Sequence, residues 1–201
     1  MNKIFLNYYL AAYIVLYFLL VFIIPSYITY KKTKINPFVF SKEDNVHNYV
    51  GFIMKISSFF VMLIVFLIAL FEDSYSFFIP VFYLEYDLVK LIGLVLMHLA
   101  LFWIVLAQIH MGISWRIGID EKNKTELKTH GIFSLSRNPV FLGIIVSMFS
   151  LFLVLPSTYI LLFAFIIYIV IQIQVRLEEE FLTKSFGIEY HSYQLKVRRW
   201  L

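Results

Sequence analysis

Residues 139–175 read PVFLGIIVSMFSLFLVLPSTYILLFAFIIYIVIQIQV, and this run decides the fold. It contains no charge, and its one break is Leu155-Pro156-Ser157-Thr158. As one helix it would extend about 55 Å at 1.5 Å per residue, far beyond a hydrocarbon core of about 30 Å. Two short spans joined by a tight turn fit instead, so the stretch predicts a helical hairpin. Upstream, apolar runs at about Ile4–Tyr30, Tyr49–Phe71 and Leu88–His110 are each long enough to cross a bilayer. The expected fold is an all-α integral membrane protein of about five transmembrane helices. Hydrophobic residues make up 61% and charged residues 15% of the 201, more apolar surface than a soluble domain of this size hides. With no linker, repeat or low-complexity run, the chain reads as a single membrane domain over 1–201, with three spans in 1–110 and a chemically richer core in 111–201.

The charges set an orientation. Lys31, Lys32 and Lys34 follow the first run, Arg116, Lys122, Lys124, Lys128 and Arg137 follow the third, and more basic residues crowd the tail. The second connection carries Glu72, Asp73, Glu85 and Asp87. By the positive-inside rule the N-terminus lies outside and the C-terminus in the cytoplasm. The net charge of +4 then points to anionic lipid headgroups rather than nucleic acid. No cysteine is present, which removes disulfides, thiolate nucleophiles and Cys-ligated metals. Lys55, near the start of the second span, is expected to snorkel.

Polar groups converge in two places, residues 108–138 and the tail from Gln172. Trp115-Arg116-Ile117-Gly118-Ile119-Asp120 follows the third span; Trp115 reads either as an interfacial anchor with a snorkelling Arg116, or as part of a cofactor wall. In the segment from Leu127 to Gly143, Gly131 marks a turn, Asn138 is a good N-cap and Pro139 suits the first helical position. Arg137 fits less well, because a cation at the positive end of a helix dipole is favourable only with an anion beside it; a ligand carboxylate or phosphate would serve. Next comes Arg176-Leu177-Glu178-Glu179-Glu180. Glu180 is four residues from both Arg176 and Lys184, which predicts surface ion pairs. Glu178 and Glu179 lack such neighbours and are functional candidates. Phe186-Gly187 reads as a helix stop with a left-handed cap.

Gly131, the Ser136-Arg137-Asn138-Pro139 block, the hairpin and the series Glu178-Glu179, Leu182, Phe186-Gly187, Tyr190, Tyr193 together resemble the isoprenylcysteine carboxyl methyltransferase family and its relatives among phospholipid methyltransferases. The likeness covers roughly Met111 to Leu201. It implies S-adenosylmethionine as cofactor in a cytoplasmic pocket, and a lipophilic small-molecule substrate arriving from the bilayer. Residue by residue, it places the cofactor against Leu127, Lys128, Phe133, Asn138, Pro139, Phe141 and Glu178, with Arg137 as a catalytic or substrate-orienting cation. The family's usual Arg-His-Pro is Arg137-Asn138-Pro139 here, its usual Tyr is Phe133, and its usual His before Leu127 is Thr125. An amide still hydrogen-bonds, but no imidazole titrates at those positions.

The implied reaction is in-line displacement at a sulfonium methyl, promoted by positioning and by removal of water. A carboxylate acceptor, as on a prenylcysteine-like molecule, needs no base, and Arg137 would clamp it. A phospholipid amine or a thiol must lose a proton, to Glu179 or to a histidine such as His130. A non-catalytic lipid-binding scaffold is the rival reading. A transporter wants charges at mid-membrane, and a nicotinamide enzyme wants a glycine-rich fingerprint; the sequence has neither. His98 and His110 read as buried or interfacial side chains rather than metal ligands.

Overall fold

A computed structural model describes residues 2–40, 44–120, 123 and 126–201. Lys122, Lys124 and Thr125 of the sequence reading therefore lie outside the described residues. Every regular element among those described is helical: α1 (Lys3–Phe18), α2 (Ile24–Thr33), α3 (Val46–Leu70), α4 (Asp87–Met111), α5 (Pro139–Val154), α6 (Thr158–Phe186) and α7 (Ile188–Lys196). Four continuous segments, Lys3–Thr33, Val46–Leu70, Asp87–Ser114 and Thr158–Phe186, are long and apolar enough to cross a membrane. With the shorter apolar α5 they make the expected all-α membrane architecture.

α1 and α2 form one span through a widened π turn at Leu19–Ile23. Pro25 has no N–H to give the carbonyl of Val21, four residues back. Gln108 of α4 supplies the missing donor, its Nε2 lying 2.6 Å from Val21 O. Without water in the bilayer, a freed carbonyl must find such a partner. Two more side chains tie α1 to its neighbours: Asn7 donates to Ile68 O at 3.3 Å and the Tyr13 hydroxyl to Met97 O at 2.7 Å.

α4 and α5 pack most closely. Gly93, Ala100 and Ala107 recur every seventh residue on the buried face of α4, and Gly143, Ser147 and Ser150 line the facing side of α5. Small residues let helix backbones approach. A Cβ at Gly143 would run into the side chain of Ile104. Gly143→Ala is therefore expected to lower stability by about 1–3 kcal/mol, seen as a fall in the thermal unfolding midpoint in detergent micelles.

The loops sort to two ends. The connection after α3 is fastened to the hairpin turn: Val81 N donates to Pro156 O (2.8 Å), Thr158 N to Ile79 O (3.0 Å), and the Tyr75 hydroxyl to Pro156 O (3.0 Å). At the other end the segment before α3 pairs with the one after α4, Val39 N to Ile117 O (3.2 Å) and Ile117 N to Pro37 O (2.8 Å). The basic connections thus share one end and the acidic connection lies at the other.

The hairpin is lopsided, contrary to the two short spans expected. α5 has 16 residues and α6 has 29. α6 continues beyond Val175 because its carboxylates find partners. Counting from Thr158, Glu178 lies about 30 Å along the helix, one hydrocarbon thickness. Gly187 ends α6 with φ +52 and ψ −120, a positive φ as expected but not a left-handed helical cap, and α7 begins at the next residue. α7 turns Tyr190 and Tyr193 inward and exposes Ile188 and Leu195.

Candidate functional site

The local chain path from His130 to Pro139 builds the site. Gly131 adopts φ +64, a single 3-10 turn follows over Gly131–Ser134, and α5 begins at Pro139 with Asn138 as N-cap residue. Asn138 does not cap with its side chain. Its Nδ2 donates instead to Glu179 Oε1 (3.1 Å) and to Arg199 O (3.3 Å). Ser136, fully buried, offers its Oγ to Asn138 N (3.2 Å) and donates to Arg199 O (3.3 Å). Arg137 N donates to Arg198 O at 3.0 Å. The start of α5 is thus stitched to the C-terminal tail.

Glu179 is the hub. Arg137 reaches it through Nε (3.2 Å) and Nη2 (3.0 and 3.2 Å), and Arg199 through Nε (3.2 Å to each oxygen) and Nη2 (2.8 Å). The side chain of Glu179 is 6% exposed and that of Arg137 11%. Nη1 of Arg137 donates to Gln194 O (3.2 Å) and Val197 O (2.7 Å). Arg137 thus makes five hydrogen-bond contacts within the chain, and all three of its guanidinium nitrogens are engaged. Glu179 supplies an anion beside Arg137 and the helix N-terminus. Local sequence shows no partner for Glu179 because its partners lie 42 residues before it and 20 after.

Neighbouring groups lock this hub. The Tyr193 hydroxyl donates to Phe133 O at 2.5 Å. Burial pushes the Tyr193 phenol up to about 12 and also raises Tyr190, so both hydroxyls stay protonated at neutral pH. The hydrogen bond to Glu179 raises Arg199 above its already high value. Trp200 packs against the main core.

Two cavities meet beside the hub. One, about 520 Å³, is apolar, with Phe18, Phe22, Met54, Phe59 and Met62 from the first two spans facing Trp115, Pro139, Phe141 and Gln174. The other, about 150 Å³, is the more polar of the two, with Asp120, Glu126, Leu127, Lys128, Tyr190 and Tyr193 in its wall. Met111, Arg116, Gly118, Phe133, Arg137, Asn138 and Glu178 belong to both. Glu178 accepts from Gln174 Nε2 at 2.9 Å through Oε1.

The residues singled out from sequence fall into three groups. Leu127, Lys128, Phe133, Arg137, Asn138 and Glu178 line the polar cavity together. Pro139 and Phe141 line only the apolar one. Glu179 lies in neither wall and holds Arg137 from behind.

Several neighbouring expectations change. Trp115 is buried rather than anchoring at an interface, with Nε1 3.3 Å from Ser26 Oγ. Arg116 does not snorkel; it pairs with Asp120 at 2.9 Å. Lys55 keeps an exposed side chain, compatible with snorkelling, and lies 5.4 Å over the Phe40 ring. Glu180 pairs with Lys184 at 2.6 Å, but Arg176 turns to Gln172 instead. His98 and His110 are exposed on α4, His98 bonded to the Tyr9 hydroxyl, and no metal-binding cluster occurs among the described residues.

Sequence reading missed Arg199, Gln174 and the aromatic wall from α1 and α3. Only Arg199 left a signal, as a cation in the tail able to answer the unpartnered carboxylates.

Residues 88–189 match the family model of phospholipid methyltransferases. The chain belongs to the phospholipid methyltransferase family. The match starts within α4, earlier than the resemblance noted in the sequence, and stops before the tail that completes the hub. No curated protein matches the chain. The family places it among methyltransferases, and its long apolar helices make it a membrane one.

Proposed function

We infer that the protein transfers a methyl group from S-adenosylmethionine to a lipophilic acceptor that enters from the bilayer. The carrying observation is that a polar and an apolar cavity share one wall at Phe133, Arg137, Asn138 and Glu178. One cavity suits a charged nucleoside and the other a hydrocarbon chain, and chemistry between them requires such a junction.

The residues suit the cofactor in kind. Phe133, Leu127, Leu182 and Tyr190 offer apolar and aromatic faces, Glu178 offers a carboxylate to a cationic group, and Lys128 stands at the rim paired with Glu126 at 2.7 Å. When bound, S-adenosylmethionine supplies an electrophilic methyl on sulfur. Asn138 and Glu178 fix the shared wall, while Pro139 and Phe141 line the acceptor side and exclude water from it. Arg137 and Glu179 hold each other and the tail, so they set the shape of the junction. Glu178 Oε2, which no other group in the described residues engages, is the atom placed to take a proton if the acceptor is an amine or a thiol. A carboxylate acceptor needs no base. The polar cavity lies at the end that carries the basic connections, and by the positive-inside rule this supports a cytoplasmic C-terminus.

Calorimetric titration of the micelle-purified full chain with S-adenosylmethionine and its demethylated product tests this. Micromolar binding of both is expected. Absence of binding to protein with a cooperative melt would leave a non-catalytic lipid-binding scaffold as the better account.

A further inference from the structure

The two arginines in the shared wall differ in one respect that matters for ligands. Every guanidinium nitrogen of Arg137 is engaged inside the chain. Those of Arg116 are not: Nε donates to Asp120 Oδ2 (2.9 Å), Nη1 to Ile113 O (3.0 Å) and Trp115 O (2.8 Å), and Nη2 has no partner among the described residues. The side chain is only 7% exposed, and Arg116 lines both cavities. A buried guanidinium with a free N–H pair beside a cavity is costly unless something accepts from it. Asp120, 4% exposed and itself held by Asn123 (Nδ2 at 2.9 and 3.0 Å), keeps the fork from turning away. The rotamer cost of binding is thus already met, as in a preorganised site.

Resting on the functional reading above, we propose that Arg116 is the anion-binding residue of this site, its Nη2 holding the phosphate or carboxylate of a bound ligand. Two sources carry that chemistry, the headgroup phosphate of an acceptor lipid and the carboxylate of S-adenosylmethionine. Glu178, in the same walls, repels an anion and attracts a cation, so the ligand's anionic end is sorted toward Arg116 and any cationic end toward Glu178. The anion clamp thereby passes from Arg137, where the sequence suggested it, to a residue with a donor to spare.

The test uses the full chain in micelles and compares two ligand pairs by titration calorimetry, octyl phosphate against octanol and S-adenosylmethionine against its decarboxylated form. For whichever source is right, the anionic ligand should bind about 10- to 100-fold tighter than its partner, and Arg116→Gln should erase that preference. Loss of the octyl phosphate preference identifies a lipid anion; loss of the carboxylate preference identifies the cofactor. If Arg116→Gln does not fold because Asp120 has lost its cation, the double variant Arg116→Gln, Asp120→Asn removes both charges and is read in the same way. The proposal is overturned if the wild-type chain shows neither preference, or if its preferences persist in a folded variant. A phosphate preference that depends on Arg116, in a protein that does not bind S-adenosylmethionine at all, would sink the methyltransferase reading and leave this one standing.

Discussion

Glu179→Ala is expected to be the most destabilising single substitution in the site, lowering stability by about 3–5 kcal/mol. The carboxylate accepts from Arg137, Arg199 and Asn138 at once. Its removal leaves the nearly buried Arg137 guanidinium with only two carbonyls, and an uncompensated buried charge costs far more than the net worth of the pair it came from. The damage should spread to the tail, because Arg199 loses its partner while Val197 and Arg198 are bound to Arg137. Thermal unfolding in micelles should show a large drop in midpoint, and carboxypeptidase should trim the tail faster than in the wild-type chain. Glu179→Gln, which keeps the shape and one acceptor, should fall between the two. A Glu179→Ala midpoint equal to wild type would refute the hub.

The neighbouring residue is expected to behave in the opposite way. Glu178→Ala should weaken S-adenosylmethionine binding by about 10- to 100-fold, the worth of a hydrogen bond to a charged group, while the melting midpoint moves little. Glu178 faces the cavities, and among the described residues its one hydrogen-bond partner is Gln174, so its loss strands no cation there. Successive residues on a helix point about 100° apart, and here that rotation separates a cavity-facing carboxylate from one that braces two arginines. The decisive comparison measures both variants for both properties. Equal loss of binding and stability in Glu178→Ala would mean that it too serves the scaffold.

The split explains why the candidate site was only partly legible. Leu127, Lys128, Phe133, Asn138 and Glu178, which a family resemblance singles out by their spacing along the chain, line one wall of the polar cavity. The roles of Arg137 and Glu179 were harder to see because each looked unsatisfied by itself. Ion-pair rules for helices reach only three or four residues, and the partners here are 42 and 20 residues away. Even at short range a pattern sets what is possible and no more: Glu180 had two candidate partners at four residues and takes only Lys184, since Arg176 is drawn to Gln172. Asn138 shows the same limit: its side-chain oxygen caps no helix N–H, and its amide nitrogen donates to Glu179 and to Arg199 O.

What the sequence determined by itself was everything governed by local composition and period: membrane class, helical content, the hairpin around Pro156, the proline at the head of α5 and the breaking glycine at 187. A bilayer imposes length and apolarity on each segment separately, so these features are readable one segment at a time. Only the tertiary structure decided which carboxylate faces the cavities and which braces the two arginines, which arginine keeps a free donor among the described residues, and that Phe18, Phe22, Phe59 and Met62 wall the apolar cavity. Those outcomes depend on which helices face one another. Lipid-facing and cavity-facing side chains in a membrane helix are equally apolar, so no periodicity tells them apart until the helices have packed.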